Sequence, residues 1–182
     1  MSTSAKHKRA AIIYFPGRID RKKLDAAVGQ ALSSLSWEPT LWLPTNPDET
    51  GGHQALRAVA QNATHLLIAG GDGTVRSVLD ALAREEITGV TVGIIPIGTG
   101  NALARNLKLE LNNINVSVKR ALLGNRHPID LGLAKVIRPD GEREEIHFCV
   151  MGGMGLDAKI MQNTNARLKK AIGWVAYFEG GI

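Results

Sequence analysis

Two apolar runs, each breaking off into a glycine-rich loop, constrain this chain more than anything else in it. The first is Leu66-Leu67-Ile68-Ala69, followed by Gly70-Gly71-Asp72-Gly73-Thr74-Val75-Arg76. The second is Val92 to Pro96, followed by Ile97-Gly98-Thr99-Gly100-Asn101 and then Ala102-Leu103-Ala104-Arg105. A short apolar run bounded by glycine reads as a buried strand. A strand that stops at Gly70 and a helix that starts near Thr74 leave the N–H groups of Gly71 to Thr74 unpaired and aimed at one spot, where the helix dipole favours an anion. Only glycine lets a phosphate approach the main chain that closely. Taken alone, the first loop is also an ordinary Asp-Gly turn between strand and helix. The pair is specific, because open α/β sheets bind ligands where such loops leave the carboxyl ends of adjacent strands. Neither of the best-known nucleotide loops is present: there is no Gly-x-x-x-x-Gly-Lys-Ser/Thr, and Arg76 stands where a dinucleotide fingerprint after Gly71-x-Gly73 needs Gly or Ala.

The surrounding sequence alternates strand and helix patterns. Ala10 to Phe15, Thr40 to Leu43, Leu66 to Ala69 and Val92 to Ile95 read as strands. Between and after them, Arg21 to Leu35, Gln54 to Gln61, Val75 to Ala83 and Val116 to Leu123 read as helices. Such alternation predicts an α/β fold, a parallel sheet flanked by helices on both faces with right-handed crossovers. From residue 126 the rhythm changes. Pro128 to Ile137, the turn Pro139-Asp140-Gly141, and Glu144 to Met151 read as two successive strands, with a helical pattern over 156–179. The expected division is an α/β nucleotide-binding domain over 1–125 and the beginning of an antiparallel β-rich domain over 126–182.

Composition excludes some classes. With 22 basic against 17 acidic residues the net charge is +5, which suits an anionic membrane surface or a polyphosphate ligand. The basic residues are scattered, aromatics make up 4 %, and neither a stacking platform nor a helix-turn-helix pattern is present, so nucleic acid is not the expected partner. Cys149 is the only cysteine, which excludes an intrachain disulfide and a cysteine metal cluster and fits a reducing cytoplasm. Its ordinary role is that of a small buried hydrophobe. No apolar run approaches the roughly 18 residues of a spanning helix.

Gly70-Gly71-Asp72-Gly73-Thr74 together with Pro96-Ile97-Gly98-Thr99-Gly100-Asn101 resembles the catalytic domain of the diacylglycerol kinase and sphingosine kinase group, and within it the bacterial soluble lipid kinases. The likeness continues through His127-Pro128-Ile129-Asp130-Leu131-Gly132, which is similar to the family's entry into its second domain, and through Met154-Gly155-Leu156-Asp157-Ala158. The resemblance implies ATP and Mg²⁺ as cofactors, a lipid hydroxyl as acceptor, a lipid-binding role for the β-rich domain that begins over 126–182, and a cytoplasmic protein peripheral to the membrane. It also implies nucleotide contacts at Thr45, Gly70, Gly71, Asp72, Gly73, Thr74, Val75, Arg76, Thr99, Gly100 and Asn101, with Asp72 catalytic. Two departures stand out. The family's first strand ends in an Asn-Pro pair, whereas this chain has Phe15-Pro16-Gly17; and Ala102-Leu103 follows Asn101 where many diacylglycerol kinases have Asp, as in the sphingoid-type branch. Relatives continue past the point matching Ile182 to complete a β-sandwich that carries late acidic residues for metal and base. The expectation is a truncated chain whose apolar surface around Trp174, Tyr177 and Phe178 favours self-association.

The chemistry these loops suit is phosphoryl transfer, which depends on positioning and charge neutralisation. A carboxylate beside a triphosphate is repelled unless a cation lies between them, so Asp72 implies Mg²⁺ or a proton-accepting role; equally, Asp72 is a helix cap, and the two are compatible. Thr99 and Asn101 would reach the nucleotide or Asp72, with capping of a helix at Ala102 the alternative for Asn101. Arg76 and Arg105 either face phosphates or lie on solvated helix faces. For His127 and His147 a core or surface role is the default, and for Trp42 packing within its strand. An NAD kinase-type metabolite kinase shares a Gly-Gly-Asp-Gly loop but not the Pro96 to Arg105 pattern. A nucleotide-binding module without catalysis is the other alternative.

Overall fold

The two unbroken apolar runs, Ala10 to Ile13 and Leu66 to Ala69, become the two central strands of a sheet. The computed structural model describes residues 8–150. Within them the elements follow in the order β1 (Arg9–Tyr14), α1 (Arg21–Leu32), β2 (Glu38–Pro44), α2 (Gly52–Ala60), β3 (His65–Gly70), α3 (Asp72–Arg84), β4 (Thr91–Pro96), α4 (Ala102–Asn106), α5 (Ile114–Leu123), β5 (Gly132–Ile137) and β6 (Arg143–Phe148). The first four strands form one parallel sheet in the order β2-β1-β3-β4, and β5 and β6 form a separate antiparallel pair. Ile12 of β1 lies opposite Trp42 on one side and Leu67 on the other. With both faces covered, β3 is buried at every position, and after His65 at its start it carries only apolar residues and glycine.

Alternate residues of the central strands feed two apolar layers. On one face Ala10, Ile12, Leu67 and Ala69 pack against Leu24 and Val28 of α1 and Val118 and Leu122 of α5. On the other, Ala11, Ile13, Leu66 and Ile68 pack against Ala55 and Ala58 of α2 and Val75, Val78 and Leu82 of α3. Burying each of these leucines and isoleucines contributes roughly 1.5–3 kcal/mol. Asp20 starts α1 by accepting from the Lys22 N–H at 2.8 Å, and Asn113 starts α5 by accepting from the Val116 N–H at 3.1 Å. Trp42 packs edge-on to Tyr14 and carries the Arg21 guanidinium 3.6 Å from its ring centre, while the Trp37 ring lies tilted against His65 with 4.6 Å between ring centres. Both tryptophans are thus engaged in packing.

The α/β expectation holds, and several boundaries move. Helix α3 begins at Asp72 rather than near Thr74, so the loop between strand and helix is Gly71 alone. Helix α1 ends at Leu32 rather than Leu35. Strand β5 begins at Gly132 rather than Pro128, because only Gly132 to Ile137 find partners, running from Phe148 back to Arg143. The Pro139-Asp140-Gly141 turn forms as read: Gly141 takes a φ of +86°, and Arg138 and Glu142 close it with a 2.8 Å backbone bond. The expected helix over 156–179, the Met154 to Ala158 segment and the Trp174, Tyr177 and Phe178 group lie outside the described residues.

In strand order β2-β1-β3-β4 the chain leaves β1 towards one edge and β3 towards the other. The carboxyl ends of β1 and β3 therefore diverge into separate loops and leave a crevice between them.

Candidate functional site

All four strand ends contribute to one cleft of about 450 Å³. Its lining includes Phe15 and Arg18 after β1, Thr45 and Asn46 after β2, Gly70 to Thr74 after β3, and Ile97 to Gly100 after β4. A smaller cleft of about 290 Å³ lies between α2, α3 and the end of the β2–α2 loop, meets the larger one at Thr50, and includes neither glycine loop. The larger one holds both glycine loops.

Its floor is the start of α3. Gly71 occupies the N-cap position and offers no side chain, and the first turn closes with Val75 N–H donating to the Gly71 carbonyl at 3.1 Å. The N–H groups of Asp72, Gly73 and Thr74 therefore have no partner within the helix. A Cβ added at Gly73 would meet nothing within 4 Å, so the cleft is open directly over these donors. Neither Gly71, at φ −100°, nor Gly73 has a positive φ, so glycine is needed here for access rather than for a left-handed backbone.

The two glycine loops touch main chain to main chain. A Cβ on Gly98 would lie 2.5 Å from the Cα of Gly71, so side chains at this crossing would force the loops apart. Asn101 holds the second loop in shape. Its backbone is left-handed at φ 51°, a conformation asparagine tolerates better than most residues, and its buried amide closes on Gly98: Oδ1 accepts from the Gly98 N–H at 3.0 Å and Nδ2 donates to the Gly98 carbonyl at 2.7 Å. It makes no side-chain capping bond to α4.

That capping contact comes instead from the first loop. Asp72 Oδ1 accepts from the Ala102 N–H, the first of α4, at 2.7 Å. Asp72 is thus a helix cap, but of α4 rather than of its own helix, and one carboxylate binds both loops together. Its other oxygen has no hydrogen bond from a described residue, and a Cβ on Gly100 would sit 2.8 Å from it. Among the lining residues Asp72 is the single carboxylate and Arg18 the single cation. Arg18 was not singled out from sequence; its Nη1 reaches Thr99 Oγ1 at 3.4 Å across the cleft. The signal available was a basic residue in the loop that begins Phe15-Pro16.

The remaining expected residues divide. Thr45, Gly70, Gly71, Asp72, Gly73, Thr74, Thr99 and Gly100 line the cleft. Thr45 is buried and donates its hydroxyl to the Tyr14 carbonyl at 3.3 Å. Val75 is in the core beneath the sheet, Arg76 is exposed on α3 outside the cleft lining, and Asn101 is closed on Gly98. Arg105 does not face the cleft centre: its Nε donates to the Gly100 carbonyl at 2.8 Å, a second clamp on that loop. Cys149 is half-buried against the apolar layer under α3; burial, then the negative charge of Asp72, pushes its thiol pKa up, so it is a poor nucleophile at neutral pH.

Comparison with known proteins agrees with this geometry. The family described as diacylglycerol kinase catalytic domain matches residues 16–134. A protein named diacylglycerol kinase from Bacillus subtilis is 30 % identical over 177 residues, covering 96 % of this chain and 55 % of its own length. A probable lipid kinase, YegS-like, from Serratia proteamaculans is 37 % identical over 120 residues, covering 64 % of this chain and 36 % of its own. The chain thus spans about half, or less, of the length of these relatives. The fold is shared with the crystal structure of a diacylglycerol kinase from Bacillus anthracis, at a TM-score of 0.57 and 24 % identity over 71 % of this chain and 46 % of that one. With the family match extending over most of the described residues and over both glycine loops, this chain belongs to the diacylglycerol kinase catalytic domain family.

Proposed function

We propose that this chain carries the nucleotide-binding part of an ATP-dependent lipid kinase that transfers the γ-phosphoryl group to a lipid hydroxyl. The observation that supports it is the start of α3, where the Asp72, Gly73 and Thr74 N–H groups open into a cleft walled on its far side by the backbone of Gly98 to Gly100. These donors hold phosphate oxygens, and the positive end of the helix favours their charge. Arg18 adds a full positive charge from the β1–α1 loop. Thr99 supplies a hydroxyl on the opposite wall. No covalent intermediate is required, since the reaction depends on alignment and charge neutralisation.

The donors present fit magnesium. That ion keeps several waters and takes one or two carboxylates beside the substrate phosphates, and the uncommitted oxygen of Asp72 is such a ligand. Held there by Asp72, the ion would supply positive charge against the phosphates. The same oxygen is alternatively the acceptor of the lipid hydroxyl's proton. Among the described residues no helix is long and apolar enough to cross a membrane, and the net charge of +5 favours an anionic membrane surface, where the lipid would be met.

The test is transfer from γ-labelled ATP by the full-length protein to vesicles containing dioleoylglycerol or sphingosine, with NAD assayed in parallel. Label in the lipid fraction supports the reading. Label in NAD alone assigns a metabolite kinase, and ATP binding without transfer to any acceptor assigns a non-catalytic module.

A further inference from the structure

The edge of β6 is closed by a helix rather than by another strand. In the β5–β6 register Leu133 faces His147 and Lys135 faces Glu145. On the side of β6 away from β5, two main-chain groups find partners on α3. The His147 N–H donates to Asp80 Oδ1 at 2.9 Å, and the Glu145 carbonyl accepts from Arg84 Nη2. Asp80 and Arg84, one helical turn apart, are joined to each other by an Arg84 Nε to Asp80 Oδ2 bond of 2.8 Å. The His147 ring adds a third contact, Nδ1 to Asp80 Oδ1 at 3.0 Å. Both ends of that contact are largely enclosed, with side-chain exposures of 17 % for His147 and 18 % for Asp80. Although burial pushes the Asp80 carboxyl up, the hydrogen bonds from the His147 N–H, from Arg84 and from the His147 ring outweigh it and hold the pKa below the usual carboxylate range. The carboxylate is therefore ionised and charge-assisted in each bond.

The placement of this clasp gives it a consequence for the site. Helix α3 is a rigid rod whose first residue is Asp72 and whose third turn carries Asp80. Directly after β6 the chain returns towards the site: Cys149 packs on the same apolar layer as Val75 and Leu103 and feels the charge of Asp72. The hairpin that opens the second region of the chain is thus bolted to the same helix that holds the phosphate loop. Without the clasp, only apolar contact, which has no directional preference, would set its register along α3.

We propose that Asp80, supported by Arg84, is a positioning residue for phosphoryl transfer: it fixes the β5–β6 hairpin relative to Asp72, so that an acceptor bound against the hairpin aligns with the nucleotide. This rests on the kinase reading above. A group with this role differs from a merely structural one in affecting turnover while leaving nucleotide binding alone.

The experiment compares full-length wild type with Asp80→Ala, Asp80→Asn and Arg84→Ala. ATP affinity is measured by calorimetry, turnover with dioleoylglycerol vesicles at saturating ATP, and amide exchange over residues 143–148 with and without ATP. Asp80→Ala is expected to keep the ATP Kd within twofold, lose at least tenfold in kcat, and exchange faster over 143–148. Asp80→Asn, which retains an oxygen for the His147 N–H, should recover kcat to within threefold of wild type. ATP should slow exchange over 143–148 in wild type and not in Asp80→Ala. Parallel loss of ATP affinity and turnover in Asp80→Ala would reduce Asp80 to a fold residue, and unchanged turnover with faster hairpin exchange would show a clasp without a positioning role. Should wild type transfer phosphate to no lipid, the kinase reading fails and the proposed role in transfer fails with it; ATP-induced protection confined to wild type would then show that the clasp couples the hairpin to the nucleotide site all the same, and equal protection in wild type and Asp80→Ala would overturn that coupling as well.

Discussion

Asp72 and Ala102 are thirty residues apart and are joined by a 2.7 Å hydrogen bond from the Ala102 N–H to the Asp72 carboxylate. One acidic side chain thereby caps the helix after the second glycine loop while standing on the first turn of the helix after the other. The bond orients the carboxylate so that its second oxygen remains over the cleft.

Asp72→Asn preserves an oxygen for Ala102 and removes the charge. The fold should persist with a melting temperature within a few degrees of wild type, while turnover falls at least about 100-fold, the low end of what a positioned acid or base contributes. Turnover within tenfold of wild type would leave Asp72 as a cap and nothing more. Asp72→Ala should additionally cost about 1 kcal/mol of stability through the lost cap.

Two glycines separate access from packing. Gly73→Ala places a methyl in open space at a helical position, where alanine is favoured over glycine by up to about 1 kcal/mol, so stability should hold or rise. Nucleotide affinity should nevertheless fall at least tenfold, about 1.4 kcal/mol. Gly98→Ala drives a methyl onto the Gly71 backbone and should destabilise the protein by roughly 1–3 kcal/mol. Calorimetric titration and thermal melting on both variants check the split, and unchanged affinity in Gly73→Ala would put the phosphates elsewhere.

Asn101 combines a left-handed backbone with two bonds to Gly98. Asn101→Gly loses the bonds alone; Asn101→Ala loses the bonds and strains the backbone by roughly 1–2 kcal/mol. Urea unfolding should rank wild type above glycine above alanine. Equal midpoints for the two variants would mean that residue 101 has relaxed out of the left-handed region.

His65 sits at the far end of β3, enclosed by Trp37, with Thr64 Oγ1 at 3.0 Å from Nδ1. Burial, then the charges of Arg126 and Lys8, lowers its pKa from 6.5 to about 4. Between those values the unfolded chain holds the proton and the folded one does not, so unfolding free energy rises with pH across this window. The contribution is complete above pH 6.5 and disappears as pH falls to about 4, a loss on the order of 3 kcal/mol. Denaturant unfolding of His65→Gln at several pH values should show a flatter profile from 4 to 6.5; an unchanged slope would assign the acid sensitivity to other groups.

What the sequence determined is whatever depends on neighbours along the chain. Unbroken apolar runs at Ala10 to Ile13 and Leu66 to Ala69 can only be strands covered on both faces, and Gly71 and Gly73 before a helical pattern leave N–H groups that attract an anion. Those local facts were enough to name the fold class and to locate the two loops. The tertiary structure decided which atoms meet. Because β3 and β4 lie side by side in parallel with Gly70 opposite Pro96, their loops emerge level with each other, and this brings Gly98 onto Gly71 and Ala102 onto Asp72. Asn101 turns back on Gly98 rather than towards the cleft because the left-handed backbone aims its side chain there. Likewise, Asp80 and His147 are 67 positions apart, and no local pattern marks either as the other's partner. Their pairing follows from where the hairpin docks on α3, since a hydrogen bond depends on atoms within about 3 Å in space and is blind to distance along the chain.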